Sequence, residues 1–364
     1  MQMNERASRL PLAPLLLIAP FFLWGTSMVA MKGAIAHTSP LFMAGMRILP
    51  AGILILIFAA LKGRMQPQGW KAWLWIGLFA LVDGTLFQGF LAEGLVRTGA
   101  GLGSVMIDSQ PIAVALMSFW LFQEHIGLWG WLGLALGVVG ISCIGLPDDW
   151  ILSIFSGSFA ANSGLHITLP TTEDAINSLH LLLDSGEWLM LLAALSMAVG
   201  TVMIRFVCKY VDPVTATGWH LILGGLPLWG ISSITETQQW SRLVRSDWLA
   251  LGYAAIFGSA IAYGLFFYFA SSGSLTSLSS LTFLTPIFAL LFGNLLLGEV
   301  LTPVQWSGVG LTLISIYLIN QRESIPGSDQ QIPLTEVAST QPANPINLAL
   351  RDSEMGVKIR SEEC

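Results

Sequence analysis

Residues 111–133, PIAVALMSFWLFQEHIGLWGWLG, and residues 286–308, PIFALLFGNLLLGEVLTPVQWSG, carry the same skeleton: a proline, an apolar run ending in glutamate, then Trp-x-Gly. One offset of 175 residues puts Pro111 on Pro286, Glu124 on Glu299, Trp131 on Trp306 and Gly133 on Gly308. Glycine and leucine coincide by chance in an apolar chain, whereas Pro, Glu, Trp and Gly matched in this order do not. Working outward, the same offset pairs Gly25 with Gly200, Thr26 with Thr201, Trp73 with Trp248, Gly77 with Gly252 and Gly89 with Gly264. A shift of two residues adds Pro40 with Pro213, Gly45 with Gly218 and Arg47 with His220. The chain is an internal duplication.

The unit that is duplicated is built for lipid. Of 364 residues, 54% are hydrophobic and 10% charged, against about 25% charged in a soluble domain that must cover itself in polar surface. A hydrocarbon core of about 30 Å takes about 20 apolar residues in helix, and ten segments qualify. They are 11–31, 40–61, 73–91, 103–122 and 129–146 in the first half, then 188–207, 214–234, 248–270, 277–297 and 304–319 in the second. Trp70, Trp73, Trp129, Trp188 and Trp248 fall at or just beyond these ends, where an amphipathic indole sits at headgroup level. The expected fold is all-α and polytopic, with ten transmembrane helices. Five helices per unit is an odd number, so the second unit enters the membrane upside down. Inverted repeats of this kind build alternating-access carriers.

Lysine and arginine set the orientation. With residues 1–10 cytoplasmic, the inside receives Arg6, Arg9, Lys62, Arg64, Lys71, Arg205, Lys209, Arg322, Arg351, Lys358 and Arg360; the outside receives Lys32, Arg97, Arg242 and Arg245. The bias places both termini inside. The opening of the chain has the charged start and apolar run of a signal peptide without a convincing cleavage site, and is taken as a retained first helix. The organisation is then a first repeat over 11–146, an acidic external loop over 147–187 without lysine or arginine, a second repeat over 188–320, and a cytoplasmic tail over 321–364 too poor in apolar residues to fold alone. The net charge of −6 comes largely from the loop and tail. No basic patch suggests nucleic acid. Cys143, Cys208 and Cys364 have no metal-ligand or disulfide spacing.

Residues 111–133 and 286–308, with WGTSMVAMK (24–32) and Pro40 followed by Arg47, resemble the EamA-type family of the drug/metabolite transporter superfamily over roughly residues 10–320. The resemblance implies a ten-helix carrier whose first four helices in each half line a cavity while the fifth and tenth pack outside it. It implies a substrate among small metabolites, without choosing between amino acids, nucleotide sugars, drugs and others. The loop and tail are longer than a minimal member needs.

An ionised side chain deep in a bilayer costs a few kcal/mol and asks for a partner or a wet cavity. Arg47 in the second helix, Asp83 in the third and Asp108 in the fourth lie at similar depth. They suit a substrate site in which Arg47 attracts a carboxylate or phosphate and Asp83 or Asp108 takes up a coupling proton; an ion pair that fixes helix packing is the alternative. His220 is the second-half candidate at the Arg47 position. Gln88, its repeat mate Tyr263, Gln110 and Trp24 add edges that could orient a ligand. Pro111 and Pro286 each remove a backbone hydrogen bond within a helix, which suits a gating hinge or a static bend, and Glu124 and Glu299 end those helices on opposite faces, where they could close gates in turn or anchor interfacial basic groups. Gly133 and Gly137 form a GxxxG that serves helix packing or a homodimer.

The expected function is a secondary transporter, an exporter of a small anionic or zwitterionic metabolite across the bacterial plasma membrane, with proton or counter-substrate coupling. No Walker loop is present to drive pumping, and no HExxH, GxSxG or histidine pair at ligand spacing supports an intramembrane enzyme. No cofactor or metal is expected. A non-transporting membrane scaffold acting through the acidic loop and tail is the alternative.

Overall fold

The computed structural model describes residues 12–31, 34–97, 106–124, 126–146, 148, 151, 186–297 and 302–320. The greater part of the acidic loop, the tail, residues 1–10 and Glu299 lie outside the described residues. All the secondary structure described is helical. The first half contains α1 (Leu12–Met31), α2 (Pro40–Leu61), α3 (Gly69–Arg97), α4 (Gln110–Phe122) and α5 (Leu128–Gly145). The second contains α6 (Gly186–Val207), α7 (Pro213–Thr235), α8 (Arg245–Ala270), α9 (275–297) and α10 (Pro303–Asn320).

Six of these helices, α1, α2, α3, α6, α8 and α9, are long and apolar enough to cross a membrane by length and composition. Three more, α4, α5 and α10, are apolar and shorter. The outward surface agrees: Leu249 is 77% exposed, Leu295 74% and Ile57 51%, a cost in water that disappears when the neighbours are acyl chains. The interior is packed by Phe21, Phe79, Phe266, Phe267 and Phe283 with Ile48, Ile76 and Leu221, all fully buried.

Local chemistry sets the helix starts. Proline occupies the first turn of α2 and of α7, where no N–H is needed. The Asp212 carboxylate accepts from the backbone N–H groups of Val214 and Thr215 at the head of α7. Within α3, eight residues, Ala80–Phe87, are π-helical, and within α8 another eight, Ala254–Ile261, are too. The repeat offset brings these stretches almost into register, so the duplication extends to an uncommon backbone detail. Pro111 does not sit mid-helix; it is in the first turn of α4. Pro286 lies midway along α9, just after a short 3-10 segment, Leu281–Phe283, that interrupts its α-helical pattern.

The halves interlock through contacts that come in exchanged pairs. On α5 and α10, a Cβ at Gly133 would meet the Ser315 carbonyl at 3.0 Å, and one at Gly308 would meet the Gly140 carbonyl at 2.7 Å; the 175-residue offset turns one contact into the other. On α2 and α7, Gly45 lies against Trp229 while Gly218 lies against Leu56, and Gly52 against Ile222 while Gly225 lies against Leu49. The shifted offset exchanges those as well. Each half thus makes to the other the contact that the other makes to it. The GxxxG of α5 is filled within the chain, since Gly133 faces Ile319 and Ser315, and Gly137 faces Phe283 and Ser315. That face is not free for a second copy.

Candidate functional site

α2, α3 and α8 meet at a line of polar side chains. Arg47 of α2 donates through Nη2 to the Gln88 Oε1. Gln88, at the end of the α3 π-stretch, donates through Nε2 to the Tyr263 hydroxyl, 2.7 Å away, and Tyr263 follows the α8 π-stretch. π-Helical turns recur where a helix must present side chains at an irregular angle, and here they aim repeat-equivalent residues at each other. Gln88 and Tyr263 are buried, at 1% and 4% exposure, while Arg47 is half-buried. The Tyr263 ring packs on Trp24 at 5.2 Å and stacks over Phe267 at 6.0 Å. Arg47 Nε and Trp24 Nε1 are buried without a hydrogen-bond partner, and no carboxylate among the described residues pairs with Arg47.

A second pair lies deeper. Asp83, within the α3 π-stretch, and His220 of α7 are both fully buried, with Oδ2 and Nε2 3.1 Å apart. The imidazole lies between Phe79 at 4.1 Å and Phe267 at 5.3 Å. Asp83 Oδ1 and His220 Nδ1 have no hydrogen-bond partner. The helices reach this separation because Gly84 and Gly224 touch backbone to backbone, and because Gly200 of α6 leaves room for the carboxylate: a Cβ there would lie 2.5 Å from Asp83 Oδ1.

The three charges expected to cluster therefore separate. Asp83 pairs with His220, Arg47 turns to Gln88, and Asp108 is half-exposed in a turn before α4, with no hydrogen bond or ion pair to a described residue. Gln110 joins a third contact, 3.3 Å to the Thr201 Oγ1 of α6, with its own Oε1 unpartnered. Glu124 forms a junction at the end of α4. It accepts from Arg205 at 3.1 Å, from the Thr276 hydroxyl at 2.9 Å, and from the backbone N–H groups of Leu275 and Thr276 that open α9. Arg205 also bonds the Gly273 carbonyl and lies 4.6 Å above the Phe122 ring. At the other end of α8, Glu236 accepts from the Leu41 and Phe42 N–H groups of α2, and His37 contacts Asp247 at 2.9 Å. Arg205, Thr201, Glu236 and Asp247 were not legible as site residues, because nothing in the sequence around them announces partners 81 to 210 residues away.

The EamA-like transporter family model matches residues 11–146 and again residues 184–321. This chain belongs to the EamA-like transporter family. An uncharacterized transporter of Synechocystis sp. is 60% identical over 325 residues, 89% of this chain and 94% of that protein. A WAT1-related protein of Arabidopsis thaliana, described as chloroplastic, is 51% identical over 308 residues, 84% of this chain and 68% of that protein. The uncharacterized inner membrane transporter YedA of Escherichia coli is 26% identical over 332 residues, 89% and 96% of the two chains. A solved crystal structure with 15% identity superposes with a TM-score of 0.65 over 85% of this chain and 98% of that one, a likeness of fold. The chain is a multi-pass membrane transporter of this family, and the polar line between its halves is the candidate site.

Proposed function

We propose that the chain is a secondary transporter that carries a small anionic or zwitterionic metabolite across the bacterial plasma membrane by alternating access. In this reading all ten helices span the bilayer as two inverted five-helix repeats, with both termini cytoplasmic. The observation that carries it is Arg47: a guanidinium inside an apolar bundle, held by a neutral amide with no described carboxylate beside it. Removing such a charge from water costs several kcal/mol unless it is paired, and a carboxylate or phosphate on the substrate supplies the pair. Tyr263 and Trp24 give that substrate an aromatic wall and further donors.

The exchanged glycine contacts support the inverted repeat, since two halves related by a two-fold in the membrane plane can swap roles as the cavity opens to one side and then the other. The junctions at the two ends of α8 suit the gates. On the lysine and arginine distribution, Glu124 with Arg205 closes the cytoplasmic end, and Glu236 with the His37–Asp247 pair closes the outer end. The direction follows the gradients, and export is assigned where the metabolite accumulates in the cell.

The test compares metabolites inside and outside intact bacteria expressing the wild type, Arg47→Ala or an empty vector, at matched membrane protein levels. A defined set of anionic or zwitterionic metabolites shifts with wild type alone if the reading holds. Wild type indistinguishable from vector over a broad panel overturns it.

A further inference from the structure

The transport reading uses Arg47 and leaves the Asp83–His220 pair without a task. Two titratable side chains at zero exposure, in direct contact and walled by Phe79 and Phe267, are a costly way to hold α3 against α7. The Gly84–Gly224 contact already brings those helices together. We infer that Asp83 and His220 form the proton-binding site of the transport cycle, and that the pair gains one proton when an anion binds at Arg47. The proton site stands on its own geometry; its linkage to an anion rests on the transport reading.

The atoms balance as follows. In the proton-poor state His220 donates its Nε2 hydrogen to Asp83 Oδ2, and the pair carries one negative charge. A further proton can settle on Asp83 Oδ1 or His220 Nδ1, both without a partner, so it enters without breaking the existing hydrogen bond. The pair is then neutral overall. Two coupled groups of this kind titrate as a unit.

The surrounding charges fix the sign of the coupling. On the packed helices the nearest titratable group is Tyr263 of α8, which stacks on the Phe267 ring that walls the imidazole and is joined through Gln88 to the charged Arg47 of α2. α6 presents Gly200 and Thr201, which carry no charge. With the site empty, Arg47 and the proton-poor pair sum to zero. An anion at Arg47 leaves one negative charge uncompensated in the bundle, and one proton at the pair restores neutrality. Proton and anion therefore bind together and move in the same direction, and anion affinity rises as pH falls through the midpoint of the pair.

Infrared difference spectra of the full chain in lipid nanodiscs, recorded from pH 4 to 9, test this. The expected result is one protonation transition within that range, lost in both Asp83→Asn and His220→Gln and kept in Asp108→Asn. Where a variant fails to give a monodisperse, helical particle, wild type with isotope-labelled aspartate carboxyls and histidine rings identifies the same transition. No transition that labelling or either variant assigns to the pair overturns the proton site. Arg47→Gln removes a positive charge and is expected to raise the midpoint by about one pH unit. An unmoved midpoint overturns the linkage. A standing titration with no metabolite shift in cells would sink the transport reading and leave the proton site intact.

Discussion

Replacing Gly224 by alanine tests the close backbone contact where α7 crosses the π-stretch of α3. A Cβ at that position would lie 2.4 Å from the Gly84 Cα, 2.7 Å from the Gly84 carbonyl carbon and 2.8 Å from the Ala80 carbonyl oxygen. Carbon atoms in contact settle at about 3.5–4.0 Å, and all three obstacles are backbone, so the helices must separate by roughly 1 Å. Overpacking of this kind costs about 1–3 kcal/mol, against a gain of about 0.8–1.0 kcal/mol from the better helix propensity of alanine. The net expectation is a loss of up to about 2 kcal/mol, and a deficit of about 1–3 kcal/mol against a site where propensity acts alone. At roughly 2–4 °C per kcal/mol, as for mid-sized soluble chains, the midpoint of thermal unfolding falls by several degrees. The comparison is Gly264→Ala in α8, where no atom lies within 4 Å of the added carbon, so propensity acts alone and stability holds or rises. Thermal unfolding of both variants and wild type in the same nanodiscs reads the difference. Gly224→Ala as stable as Gly264→Ala would refute the backbone contact, and with it the placement of His220, one turn earlier on α7, against Asp83.

Glu124→Ala removes the acceptor shared by Arg205 and the start of α9, and is expected to cost about 1.5–3 kcal/mol, the range for hydrogen bonds to charged groups. Hydrogen exchange should quicken at Leu275 and Thr276, and unchanged exchange there would count against the junction. Asp247→Ala loses the acceptor for the Val244 N–H at the head of α8 along with the His37 contact; because the His37 side chain is partly exposed and its contact is screened by solvent, about 1 kcal/mol is expected, nearly all from the cap, measured by thermal unfolding. Cys208, in the turn after α6, has its thiol pushed up to about 12 by burial and by the nearby Asp212 carboxylate. Its thiolate is therefore scarce at neutral pH and grows as pH rises toward that value. In a chain with Cys208 as its one cysteine, alkylation at pH 8 should run about a thousandfold slower than for a free thiol, and a rate equal to that of free cysteine would contradict the placement.

Ten helical segments were legible from runs of about 20 apolar residues with tryptophan at their ends, and the skeleton repeated from Pro111 to Gly133 and from Pro286 to Gly308 sorted them into two matched sets of five. The ends of α8 were legible to within three residues and those of α3 to within six, but their π-stretches were not: the run ALVDGTLF has the composition of ordinary apolar helix. Arg47, Asp83, Gln88, His220 and Tyr263 could be named because a polar side chain stands out in an apolar run. Who partners whom could not. Arg47 and Asp83 attract by charge at sequence level, yet the fold brings His220 to Asp83 and Gln88 to Arg47, since side-chain reach across α2, α3 and α7 is decided by where small residues let backbones approach. The gating hinge expected of Pro111 and Pro286 assumed a mid-helix position, which Pro286 has in α9 and Pro111, in the first turn of α4, does not.

Release of metabolites from liposomes containing the purified chain tests the central claim most directly. Vesicles are loaded with the metabolites that shift in intact cells, and efflux is followed for wild type, Arg47→Ala and protein-free controls. The account predicts saturable efflux of a defined anionic or zwitterionic set with wild type, reduced at least tenfold in Arg47→Ala. Efflux no faster than from protein-free vesicles would contradict it.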